Sequence, residues 1–157
     1  MWKTWIPYSG LFYWPKNVLK TKNQKYINMS HERFQRCIDA CIACAAECKH
    51  CASECLKEDN VSMLGPCIQL DMECSLVCLS TAQLMMIGGE NASLLCNACA
   101  DICLACAEEC QKHDMDHCLR CAEECRRCAV ECREMVEQHA WIIRKDSHLY
   151  WTINNNA

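Results

Sequence analysis

From residue 37 to residue 132 a small apolar side chain returns every three or four positions, with polar residues filling most of the gaps. That side chain is cysteine. Cys37, Cys41, Cys44, Cys48, Cys51 and Cys55 step by 4, 3, 4, 3 and 4. Cys96, Cys99, Cys103, Cys106 and Cys110 step by 3, 4, 3 and 4, and Cys118, Cys121, Cys125, Cys128 and Cys132 repeat those steps. A sparser set, Cys67, Cys74 and Cys78, steps by 7 and then 4. Alternating threes and fours place every member on one stripe of an α-helix. The pattern is the a/d seam of a helix bundle, with cysteine where leucine is expected. Ile38, Ile42, Leu76, Leu79 and Leu104 sit beside the stripes, where they can close helix seams or bury a second face against another subunit.

Punctuation falls between the stripes. Ser30 is a candidate cap for a first helix that fades near Glu58-Asp59-Asn60. Ser62 or Gly65 opens the second, with Pro66 tolerable in its first turn. Gly88-Gly89 stops it, and Asn91 can cap the third. His113-Asp114-Met115-Asp116 makes the turn into the fourth, capped by Asp114 or Asp116. Glu123 and Arg127 stand at i, i+4 on what reads as a solvated face. The prediction is an all-α fold, an antiparallel up-down-up-down four-helix bundle with a cysteine-lined core and helices of about 20–27 residues.

Charge divides the 157 residues into three parts. Residues 31–140 carry all 19 cysteines, with 9 Lys and Arg against 19 Asp and Glu, a net of −10. Residues 1–30 hold five lysines, no acid and seven of the eleven aromatics. The expected organisation is a basic aromatic extension over 1–29, the bundle over 30–140 and a tail over 141–157. The extension reads as disordered, or as upstream sequence if translation begins at Met29. An acidic bundle without a basic stripe argues against nucleic acid. No run approaches the 18 apolar residues of a membrane span. With no uninterrupted apolar leader and no twin arginine, the cytoplasm is the expected compartment.

So many thiols in a chain without an export signal point to metal or redox chemistry before disulfides. As a small hydrophobe cysteine suits one or two core positions, but 19 in phase ask for another reason. A zinc ion with four unshared thiolates carries −2, and the stripes hold no Lys or Arg to balance a stack of such sites. Iron–sulfur clusters need four cysteines converging on a point, which a linear seam does not suggest. Copper(I) is soft and accepts two or three sulfurs. If each thiolate bridges two ions, one Cu(I) per cysteine gives a neutral assembly that is far cheaper to bury. Multiple Cu(I) ions are therefore the expected ligand. A metallothionein-like buffer for zinc or cadmium, and a thiol redox protein, are the alternatives. There is no phosphate-binding loop and no singled-out nucleophile, so catalysis is not expected.

Polar residues extend the seams. Asp71 lies four after Cys67 and three before Cys74, in the place of a missing cysteine, as a ligand, a proton acceptor or a buried carboxyl bonded to thiols. His113, Met115 and His117 lie beside Cys110 and Cys118 at one bundle end, with Met63 near them. Met85, Met135, His31 and His139 gather at the other. Weaker donors than thiolate suit a place that must pass metal inward, although helix-end surface residues would look the same. His50 and His148 fall outside the seams.

Over about residues 29–138 the chain resembles the cytosolic branch of the four-helix-bundle copper storage proteins. The resemblance rests on MSHERFQRCIDACIACAAECKHCASEC, CIQLDMEC and LCNACADICLACAEECQKHDMDHCLRCAEECRRCAVEC. It implies Cu(I) held along the core by bridging thiolates, an apo bundle already folded, a homotetramer, and storage or detoxification without turnover. KHDMDHC is similar to the family's histidine-rich turn, which carries over to His113 and His117.

Overall fold

The computed structural model describes the backbone of residues 23–155 and the side chains of 34–138. Four helices follow one another, α1 (Asn23–Cys55), α2 (Gly65–Met86), α3 (Ala92–Cys110) and α4 (Asp116–Asn155), with a 3-10 turn at Val61–Leu64 ahead of α2. α1 packs on α2 and α4, and α3 packs on the same two. Short connections and this pairing give the up-down-up-down bundle.

The breaks follow the chemistry of the turns. Gly88 takes φ 66, the left-handed conformation that glycine adopts at least cost. Its N–H bonds Met85 O at 3.0 Å and that of Gly89 bonds Leu84 O at 3.0 Å, which closes α2 in a Schellman motif. A Cβ at Gly89 would run into the Leu84 side chain, so both glycines are needed. Pro66 sits in the first turn of α2, where its missing N–H costs nothing. Asn91 holds the N-cap position of α3 without a side-chain cap bond, and its backbone carbonyl accepts from Leu94 and Leu95 instead.

Two boundaries differ from expectation. α1 begins seven residues before Ser30, which therefore lies inside the helix instead of capping it. Residues 23–29 contain neither Gly nor Pro, so nothing in them halts the helix. α4 runs through most of the expected tail to Asn155 for the same reason. Helix lengths are accordingly 33, 22, 19 and 40 residues, where about 20–27 was expected. The extension over 1–29, expected to be disordered, is helical from Asn23 onward, and residues 1–22 lie outside the described residues. Arg127 pairs with Glu124 at i, i+3, not with Glu123.

All 19 cysteines are buried and none is in a disulfide. Between them the core is filled by alanines, among them Ala40, Ala45, Ala82, Ala100, Ala107 and Ala122. Small side chains at the seams let the helices approach closely, and sulfur occupies the axis. Larger core residues gather at the ends. Phe34, Ile38, Met85 and Met135 close one end, and Leu64 with partly buried Met115 closes the other. Of the flanking apolar residues, Ile38 is buried and Leu79 packs partly against the core, whereas Ile42, Leu76 and Leu104 face outward. Among the described residues no helix is long and apolar enough to cross a membrane.

Candidate metal centre

Each helix delivers its thiols to the axis at the spacing of its stripe, and antiparallel packing sets the stripes against one another. Between α1 and α4, Sγ–Sγ distances are 3.5 Å for Cys37–Cys132, 3.7 Å for Cys41–Cys128, 3.6 Å for Cys44–Cys125 and 3.8 Å for Cys51–Cys118. Between α2 and α3 they are 3.5 Å for Cys78–Cys99, 3.6 Å for Cys74–Cys103 and 3.5 Å for Cys67–Cys110. The two halves join through Cys44–Cys74 at 3.8 Å and Cys78–Cys128 at 3.9 Å. These are contact distances between thiols, well beyond the roughly 2.05 Å of a disulfide.

The column resolves into groups of four. Cys41, Cys99, Cys128 and Cys132 lie with their sulfurs within 4.8 Å of one another. So do Cys44, Cys78, Cys103 and Cys128; Cys44, Cys48, Cys74 and Cys125; Cys48, Cys106, Cys121 and Cys125; and Cys51, Cys55, Cys67 and Cys118. A linear seam was not expected to bring four cysteines to a point. Four seams in register do so repeatedly, because each level of the bundle collects thiols from facing helices. The groups also share members, since Cys128, Cys44, Cys48 and Cys125 each belong to two. Isolated four-sulfur sites cannot all be filled at once from shared ligands, whereas bridged ions can.

Asp71 enters this column from α2 at the level the cysteine spacing leaves open. It is fully buried. Cys106 and Cys121 donate to its Oδ1 at 3.2 and 3.1 Å, Cys110 reaches the same atom at 3.5 Å, and Cys67 approaches Oδ2 at 3.9 Å. Burial pushes its carboxyl up to about 8, with the neighbouring Cys121 sulfur adding to the shift. Near neutral pH Asp71 is therefore mostly protonated in the apo bundle. Sequence reasoning missed two other buried polar residues of α2, Ser75 and Thr81. Thr81 donates to Val77 O at 2.8 Å, and Ser75 Oγ has no hydrogen-bond partner.

At the end formed by the C-terminus of α1 and the N-terminus of α4, His117 Nε2 lies 3.5 Å from Cys55 Sγ. Burial pushes the Cys55 thiol up to about 11, with the Cys67 sulfur next in effect. His113 Nε2 is buried without a hydrogen-bond partner and stands 3.9 Å from Glu109. Both histidines are thus at the same bundle end, and His117 touches the column. Met63 is exposed on the 3-10 turn. His50 lies on the outer face beside Glu54. At the opposite end Met85 and Met135 are buried, and the side chains of His31 and His139 lie outside the described residues.

The family model for copper storage proteins matches residues 30–137. The chain belongs to the copper storage protein family. Its relatives include an uncharacterised cysteine-rich protein, YhjQ, of Bacillus subtilis, 45% identical over 102 residues that cover 65% of this chain and 94% of that one. The Cu(I)-bound copper storage protein BsCsp3, whose apo form is from Bacillus subtilis, is 43% identical and matches with a TM-score of 0.64, over 66% of this chain and 98% of that chain. A cytosolic copper storage protein from Streptomyces lividans, loaded with five coppers, is 37% identical with a TM-score of 0.67, over 70% of this chain and 97% of that one. These solved copper storage proteins share the four-helix bundle seen here.

Proposed function

We propose that this protein stores Cu(I) in the cytoplasm, holding many ions through bridging thiolates along the bundle axis. The continuous column of shared four-thiol groups carries this reading. The ligands are the cysteines at 37, 41, 44, 48, 51, 55, 67, 74, 78, 96, 99, 103, 106, 110, 118, 121, 125, 128 and 132, joined by Asp71, His113 and His117. Cu(I) bridged by shared thiolates forms an electrically neutral column, which an axis without Lys or Arg can bury. Each ion taken up releases one thiol proton, and neither metal nor sulfur changes oxidation state. The cargo leaves as it came, so the protein is a reservoir and buffer against copper excess, not an enzyme. The storage unit is residues 30–140. The cytosolic relative from Streptomyces lividans favours the cytoplasm.

The assembly is a homotetramer in this reading. Met72 and Leu76 are exposed along one outer side of α2 and Ile87 just past its end, and the exposed face of the helix carries one charged residue, Glu73. A second copy of the chain is the partner that such a surface suits.

Anaerobic titration of the fully reduced protein with Cu(I) against a competing chelator tests the storage reading. Uptake should continue to about one ion per thiolate. Saturation at a few ions sinks it, and zinc retained against chelators while copper is excluded points to a general thiol buffer instead.

A further inference from the structure

The end of the column away from His117 is closed by thioethers. Met85 Sδ lies 3.8 Å from Cys96 Sγ, and Met85 and Met135 are both buried. Two sulfurs at about 2.3 Å from one metal in a trigonal site stand about 4 Å apart, so the observed pair is already at ligand spacing. Cys37 Sγ lies 3.5 Å from Cys132 Sγ. Cys37 is also singular in access. It keeps 3% of its surface exposed, whereas each of the other eighteen cysteines is at 0%. Above it lies a pocket of about 150 Å³ lined by Arg36, Cys37, Glu131, Glu134, Met135 and Gln138. Arg36 Nη2 spans the rim, 2.6 Å from Glu131 and 3.4 Å from Glu134, and its side chain is 71% exposed.

We propose that this end is a second loading port for Cu(I), with Cys37 as the first thiol met and the Met85–Cys96 pair as a capping site at the head of the column. The proposal rests on the copper storage reading. Glu131 and Glu134 supply the negative potential that draws a cation into the pocket, and the exposed Arg36 arm swings aside to admit it. The ion exchanges a ligand of its donor complex for the Cys37 sulfur, and the displaced thiol proton leaves to water through the carboxylates. No electron moves. Cys132, 3.5 Å from Cys37 and 3.7 Å from Cys41, then takes the ion into the axis. Thioethers fit this task because they hold Cu(I) without a charge and more weakly than thiolate, so they orient the ion without trapping it.

The test uses the full chain labelled with 13C at the methionine methyls and titrated with Cu(I) to saturation. The Met85 methyl resonance should move during loading, while that of Met72, exposed on the outer side of α2, stays in place. In parallel, uptake from the Cu(I)–bicinchoninate complex is timed in a His113→Ala/His117→Ala background. Adding Met85→Leu and Met135→Leu to that background should slow initial uptake about five-fold. Methionine to leucine conserves volume, and circular dichroism checks that the bundle is intact. A stationary Met85 methyl at saturation, or an unchanged rate, overturns the port. Total capacity keeps the two readings apart. Either of those results with capacity still near one ion per thiol removes the port and leaves storage standing, whereas saturation at a few ions removes storage itself.

Discussion

Asp71→Asn should make the apo bundle more stable as the pH rises, and the size of the gain follows from the position of the carboxyl. Folding raises its pKa from 3.8 to about 8, through burial first and the Cys121 sulfur second. Below the unfolded value the group is neutral in both states and costs nothing. Above it the unfolded chain gives up a proton that the folded chain keeps, so stability falls as the pH rises, until the folded group also ionises near 8. The slope in that window approaches one proton, about 1.4 kcal/mol per pH unit. From about pH 5 to 7 the loss is therefore about 3 kcal/mol, and Asp71→Asn abolishes it. The amide oxygen keeps an acceptor for Cys106 and Cys121, and the amide NH2, with only the Cys67 sulfur beside it, adds a cost that does not vary with pH and so drops out of the slope. Every other group is common to both proteins and cancels in the difference. Urea unfolding of the reduced, metal-free proteins, followed by circular dichroism across that range, measures it. A stability difference that stays flat with pH refutes the buried, protonated Asp71.

Three further outcomes are expected. Cys103→Ser should lower copper capacity by one or two ions and leave the helical spectrum unchanged, since Cys103 sits among Cys74, Cys78, Cys99 and Cys44 at 3.5–4.0 Å; complete loss of binding would mean a discrete site. Gly88→Ala places a Cβ at φ 66 and should cost about 1 kcal/mol, seen as a thermal midpoint lower by about 4 °C in the apo protein. Met72→Lys with Leu76→Lys should reduce the mass in light scattering from that of an oligomer to that of a single 18.0 kDa chain, and an unchanged mass would locate the contact elsewhere.

The fold was legible because one residue type marked the buried stripe of every helix, and Gly88-Gly89 and Pro66 marked the turns. Helix ends were less so. Ser30 has the chemistry of a cap, but a cap ends a helix only where the preceding residues resist it, and residues 23–29 do not. The larger blind spot was register between helices. Steps of three and four fix a stripe on its own helix and say nothing of its height against a neighbour. That height decides that Cys41 meets Cys99, Cys128 and Cys132, and that Asp71 meets Cys106 and Cys121. Loop length alone carries that information in the sequence, and it does so to within about a turn.

Register also decides what the odd number of thiols means. In a framework of separate four-thiolate sites, 19 cysteines would leave three over, and each filled site would bury a charge of −2. The five groups cannot all be filled as separate sites, because Cys128, Cys44, Cys48 and Cys125 each stand in two of them. Where both groups are filled, the thiolate they have in common is shared between ions, and sharing brings the ratio towards one ion per sulfur and the charge towards zero. Every cysteine but Cys37 is withdrawn from solvent completely, a burial that neutral thiols and a neutral copper–thiolate column both tolerate. Asp71 obeys the same constraint in the empty protein: alone among carboxylates in the thiol axis, it is held protonated by the surroundings that exclude net charge.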